Sequence, residues 1–172
     1  MKNSISASVL IFSLCLFFFN TNASKSCVLH SDSTVCLEIY GKLLNLNKSK
    51  NEIYKVELIS CNLIVEEMVL KNNQHFQFSL KKNTHYGIRI SKKGFVSRLI
   101  SIYTSVPKES DGIFRFQFDT ELIEKNASKK LNADALDFPI AVISFNEEMK
   151  CFYYSEEYTS NIKRQLYLDK NF

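Results

Sequence analysis

Residues 75–80 read HFQFSL and residues 86–92 read YGIRISK. In the first stretch Phe76, Phe78 and Leu80 alternate with Gln77 and Ser79. In the second, Tyr86, Ile88 and Ile90 alternate with Arg89 and Ser91. A period of two is the signature of a strand with one face on a core and the other in water. The same pattern extends in both directions. Upstream, Val35, Leu37 and Ile39 share one face, and Tyr54, Val56 and Leu58 stand opposite Lys55 and Glu57. Residues 63–70 are apolar, but their phase slips at Glu66-Glu67, which predicts a bulge or an edge. Downstream, Gly94 precedes an extended stretch over 95–104. Phe114, Phe116 and Phe118 then point one way. The expected core is Tyr54, Val56, Leu58, Phe76, Phe78, Leu80, Tyr86, Ile88, Ile90, Phe114, Phe116 and Phe118. Seven short strands separated by turns predict a mostly β fold, an antiparallel seven-stranded sandwich.

The character of the chain changes after residue 120. Residues 122–136 are rich in Lys, Asn and Ala and read as a linker or a short helix. Residues 139–154 predict a β-hairpin, with strands over 140–145 and 151–154 around an Asn146-Glu147-Glu148 turn. Ser155 is then a helix N-cap, with Glu156 and Glu157 favourable in the first turn. Tyr158, Ile162 and Leu166 recur at i, i+4 and i+8, so the chain is expected to end in an amphipathic helix of about three turns.

Three pieces in order carry a resemblance. A strand runs into Ile39-Tyr40-Gly41-Lys42. A middle strand carries Phe76-Gln77-Phe78-Ser79-Leu80. The third piece runs from Tyr86 through Ile88, Ile90, Lys92 and Lys93 to Gly94-Phe95. Together they resemble a carboxypeptidase-regulatory-like domain, of the transthyretin-like sandwich type. Gln74-His75 stands where such domains commonly carry a turn glycine. The resemblance covers about half the chain and implies a seven-stranded sandwich that serves exported or surface proteins as an accessory module without catalytic residues. The part from Phe138 onward resembles tails that follow such domains in exported proteins of the Bacteroidetes.

The N-terminus predicts export. Lys2 is followed by an uncharged apolar run from Ala7 to Phe19 and a polar stretch ending in Ala23. This is the layout of a secretory signal peptide cleaved before Ser24. The run is shorter than the roughly 20 residues that a membrane-spanning helix needs. Neither Cys15 nor Cys27 sits in a Leu-small-small-Cys lipidation pattern. No later segment reaches spanning length. The expected organisation is a signal peptide over 1–23, a short segment over 24–34, the sandwich over 35–120, a linker over 121–137 and a C-terminal hairpin plus helix over 138–172. The mature protein is expected in the periplasm, on the cell surface or secreted.

Composition narrows the function classes. The formal net charge is +4, and Lys2 leaves with the signal. The basic residues are spread out, without the stripe that nucleic-acid binding requires. Of the cysteines, Cys27, Cys36, Cys61 and Cys151 survive cleavage. Exported chains meet oxidising conditions, so these are read as disulfide cysteines, with three pairings open, or as free buried thiols. Cys27, His30 and Cys36 are too loosely spaced for a zinc site and have no fourth ligand, so no metal and no cofactor is expected. His75 and His85 sit at strand starts, and none of the histidines lies in HExxH. No G-x-S-x-G elbow or phosphate-cradling loop is present. Glu66 and Glu67 are adjacent on a strand and point to opposite faces. Glu147-Glu148 and Glu156-Glu157 belong to a turn and a helix start. Asp32-Ser33-Thr34 resembles a short O-glycosylation motif, and Asn47-Lys48-Ser49 and Asn126-Ala127-Ser128 fit the N-glycosylation pattern.

The sequence therefore predicts a non-catalytic accessory or binding sandwich of the cell envelope, with a protein or glycan partner. The alternative is a small eight-stranded outer-membrane barrel. Its spanning strands would need about 9–11 residues, and most of the strands read here are nearer six.

Overall fold

A computed structural model describes residues 34–44, 53–71, 74–110, 112–129 and 131–167. The signal region, Cys27, His30, Ser33, Asn47 and the last five residues lie outside the described residues. Seven strands occur over the predicted sandwich: β1 (Val35–Leu43), β2 (Ile53–Ser60), β3 (Leu63–Lys71), β4 (His75–Lys81), β5 (His85–Lys92), β6 (Arg98–Tyr103) and β7 (Phe114–Thr120). Two one-turn helices follow, α1 (Lys125–Ser128) and α2 (Ala133–Asp137). Then come the hairpin strands β8 (Ala141–Asn146) and β9 (Cys151–Tyr154), and α3 (Glu156–Tyr167).

The strands form two open sheets. One has the order β4-β1-β7 and the other β3-β2-β5-β6-β8-β9. Hairpins join β2 to β3, β5 to β6 and β8 to β9, all antiparallel. The expectation of a wholly antiparallel sandwich needs correction at two pairs. Strand β7 lies parallel to β1, with Leu37 opposite Phe114 and Gly41 opposite Phe118. Strand β8 lies parallel to β6, with Ile100 opposite Ala141 and Ile102 opposite Ile143. Both β7 and β8 enter after the chain has crossed from the other sheet, and a crossover delivers a strand in either direction where a tight hairpin delivers only an antiparallel one. The barrel alternative is corrected as well: each sheet ends in edge strands and neither closes on itself. Among the described residues no helix is long and apolar enough to cross a membrane.

The core lies between the sheets. Tyr54, Val56, Leu58, Phe76, Phe78, Leu80, Tyr86, Ile88 and Ile90 are buried there, with Leu37, Ile39, Ile100, Ile102 and Ile143. Phe114, Phe116 and Phe118 pack against it but keep partial exposure on β7, the last strand of its sheet among the described residues. A register shift between Val35 and Leu37 turns Cys36 inward as well, so Cys36 is fully buried. Gly41 faces its cross-strand partner Phe76, and a Cβ at Gly41 would overlap the Phe76 ring. The glycine that ends the first strand motif is thus the space in which a core aromatic lies.

The C-terminal hairpin continues this core. Phe114 of β7, Phe145 of β8 and Phe152 of β9 form an edge-to-face triangle with centroids 5.2, 5.6 and 5.7 Å apart. Such pairs contribute about 0.5–1.5 kcal/mol each beyond area burial. Helix α3 begins as its sequence requires, with Ser155 Oγ accepting the Tyr158 N–H at 3.3 Å. Its Ile162 and Leu166 pack with Ala135 and Leu136 of α2 in a second, small apolar cluster.

Candidate functional site

The six-stranded sheet presents its other face outward, and strand alternation decides what stands there. Lys55, Glu57 and Ile59 of β2 stand beside His85, Gly87 and Arg89 of β5 and Leu99, Ser101 and Tyr103 of β6. Glu57 is only 3% exposed although it lies on this outward face. Its two carboxylate oxygens accept Lys55 Nζ at 2.6 Å and Arg89 Nε at 2.6 Å. Lys55 also reaches Glu67 of β3 at 3.4 Å. Burial alone would raise the Glu57 pKa. The hydrogen bonds from Arg89 and Lys55 outweigh it and hold the carboxyl below its ordinary value. The Glu57 hydrogen bond in turn raises the Lys55 ammonium. The group is a stapled cross-strand network with its charges paired, so it orders the face and leaves no free acid or base.

At the start of β5, His85 and Tyr103 are cross-strand partners whose rings stack 4.4 Å apart and within 5° of parallel. His85 Nε2 lies 2.7 Å from Ser101 Oγ. The pair superficially matches a nucleophile and its base. Ser101 sits in mid-strand with its backbone committed to the ladder, and no third group orients the imidazole among the described contacts. A serine nucleophile requires an orienting partner and oxyanion donors as well. The arrangement holds an exposed aromatic pair in place. Among the described residues no cluster of three His, Cys, Asp or Glu side chains could hold a metal ion.

The feature that stands apart is β3. It ends the six-stranded sheet and runs for nine residues. Leu63 is 66% exposed, and Ile64, Val65 and Val69 also face solvent. The register shifts opposite Leu58 and Ile59, so Val65 is a bulge residue, and the slip foreseen at Glu66-Glu67 has this cause. Glu66 falls on the core-facing side and Glu67 on the outward side, both exposed. Natural edge strands are commonly short or protected by lysine and proline. Here a long β-branched edge carries two acids in its middle and Lys71 at its end.

Other candidate residues fall elsewhere. Cys36 is a buried free thiol 3.8 Å from the Thr104 carbonyl, and burial pushes it up to about 11. Cys151 is free and half-buried in β9. Cys61 is disulfide-bonded. Arg98, 4% exposed at the start of β6, has a buried Nη1 without a hydrogen-bond partner, and burial lowers its pKa. Sequence alternation missed Glu57 and Cys36, since neither the cross-strand pairing nor the bulge is written in the local pattern.

No family model matches the chain. No curated protein matches it either. A solved structure titled "Crystal Structure of S.CueP" is similar at 12% identity and a TM-score of 0.35, over 49% of this chain and 60% of that one. This chain therefore spans less than two thirds of the length of that structure, and a likeness of this size carries no argument about fold or function.

Proposed function

We propose that the chain is an exported, non-catalytic accessory sandwich of the cell envelope, which binds a protein partner along the β3 edge. The observation that carries this reading is the exposed run Leu63, Ile64 and Val65 with Val69 on a strand that pairs on one side alone among the described residues. An edge of this kind is a template for an added strand, in which the main chain supplies affinity and alternate side chains supply specificity. The acidic pair Glu66-Glu67 favours a segment bearing Lys or Arg. The carboxypeptidase-regulatory-like reading is compatible with the first seven strands, which divide into three and four over two sheets. The signal-like N-terminus and the disulfide at Cys61 support passage through an oxidising compartment.

The test has two stages. Cells expressing the full chain are fractionated to locate it. The protein is then crosslinked in place, and Val69→Lys and Ile64→Lys variants are compared with wild type. The reading expects an exported protein and one dominant crosslinked partner. Both variants should lose that partner while keeping the wild-type melting curve. A cytoplasmic location, or a partner retained by both variants, would overturn it.

A further inference from the structure

We infer that Arg98 forms the cationic end of a binding site for a small carboxylic acid, at the point where β6 enters the core. Strand alternation places the residue. Ile100 and Ile102 face the core from β6, and Arg98 lies two positions before Ile100 on the same side. Its cross-strand partner on β5 is Ile90, which is fully buried and itself stands opposite Val56 of β2. The inward row therefore holds two aliphatic side chains and one guanidinium. A third aliphatic residue would complete that row, so a guanidinium there needs a counterpart.

Among the described residues nothing supplies one. Arg98 is 4% exposed, and its Nη1 is buried without a hydrogen-bond partner. A guanidinium keeps its charge in a protein, so a full positive charge stands at the edge of the core. Buried charges are paired, because an uncompensated one is strongly destabilising. Two other arginines of the sheets follow that rule although they are more exposed. Arg89 Nε lies 2.6 Å from Glu57, and Arg115 Nε lies 3.1 Å from Glu38. The acid that the topology brings to the Arg98 end is Glu124, in a bridge with Phe95, and it forms no ion pair with Arg98. Tyr167, at the end of α3, is the titratable group whose field reaches Arg98, and it offers a hydroxyl rather than a carboxylate. Lys92, the next inward residue beyond Ile90 on β5, is 9% exposed with its ammonium 4.3 Å from the Phe95 ring centroid. It adds a second cation to this end of the inward face.

The surroundings select the ligand. A monoanion neutralises one guanidinium, and a carboxylate meets two of its N–H groups side by side. The flanks on the inward face are Ile90 and Ile100. They carry no donors for the further oxygens of a phosphate or sulfate, and they suit the methyl or methylene groups of an organic acid. Near-complete burial limits that acid to a few carbons.

The probe is acetate, titrated against the full chain at neutral pH with sodium chloride holding the ionic strength. Binding is read by Tm and by line broadening of carbon-13-labelled acetate. Phosphate is titrated in the same way, and Arg98→Met is the control. We expect acetate to raise the wild-type Tm by roughly 3–6 °C at about ten times its Kd, and phosphate to do no more than chloride. Arg98→Met should lose both the shift and the broadening. In chloride it should melt at or above wild type, since an apolar side chain in place of an uncompensated buried charge is neutral or stabilising. If Arg98→Met instead melts well below wild type in chloride, or does not fold, the guanidinium is already compensated within the chain and the inference is overturned. The absence of an acetate response, a response kept by Arg98→Met, or a phosphate response equal to that of acetate would overturn it as well.

Discussion

Replacing Gly41 with alanine tests the packing of the smaller sheet directly. Gly41 stands opposite Phe76, and a Cβ there would overlap the ring. Phe76 cannot simply swing aside. It is 1% exposed and is held by Phe78 at 5.8 Å and Phe118 at 5.7 Å between ring centroids. Inserting one carbon into a packed core costs about 1–3 kcal/mol. Alanine in a strand interior would otherwise gain roughly 0.5–1 kcal/mol over glycine. The net expectation for Gly41→Ala is a loss of about 1–2 kcal/mol, or about 2–8 °C in Tm for a chain of this size. Urea unfolding of wild type, Gly41→Ala, Phe76→Leu and the double variant closes a cycle. In the Phe76→Leu background, where the ring is gone, the added methyl should cost nothing or stabilise slightly. An equal cost in both backgrounds, or a cost below about 0.5 kcal/mol beside Phe76, would refute the assignment of Gly41 as the space for that ring.

Three further outcomes are expected from the same packing. Glu57→Gln should destabilise the protein by about 1–3 kcal/mol at neutral pH, since Lys55 and Arg89 both lose a charged acceptor. Because the folded Glu57 carboxyl sits below its ordinary value, its contribution is present above the unfolded pKa and is lost as pH falls through the folded one. The gap between wild type and Glu57→Gln should therefore close in acid, and urea titrations at several pH values would show it. Cys36 is fully buried with its thiol raised to about 11. It should resist iodoacetamide at pH 8 in the native protein and react at once in denaturant, as mass spectrometry of the alkylated peptides would report. Phe152→Ala should cost about 3–5 kcal/mol by opening the triangle with Phe114 and Phe145. Its unfolding should remain a single transition, because the hairpin shares the main core. Separate melting of the hairpin would contradict that shared core.

Much of the fold was legible along the chain. The phenylalanines of 76–80, the aromatic and isoleucine run of 86–90 and the tyrosine–valine–leucine run of 54–58 occupy strands whose inward residues are buried. The Ser155 cap and the 158–162–166 spacing became α3 with Ile162 and Leu166 inside. The phase slip in β3 proved to be a bulge. The stretch 122–136 was ambiguous because its short helices are only one turn each, and one-turn helices depend on capping contacts such as Asn132 rather than on periodicity. The candidate site was less legible. Exposure of Leu63, Ile64 and Val65 depends on β3 being the last strand of its sheet, and an apolar run reads the same whether it is central or at an edge.

The sequence by itself determined which residues are strand and helix and which side of each strand is apolar, because alternation and capping act between residues a few positions apart. Only the tertiary structure decided the neighbours. It set β7 parallel to β1 and β8 parallel to β6, and it joined the C-terminal hairpin to the sandwich through Phe114, Phe145 and Phe152. It buried Glu57 between two cations, turned Cys36 inward and placed β3 last in its sheet among the described residues. Each of these depends on contacts between segments far apart in the chain, where register and sheet order are chosen by the packing of the whole core rather than by any local pattern.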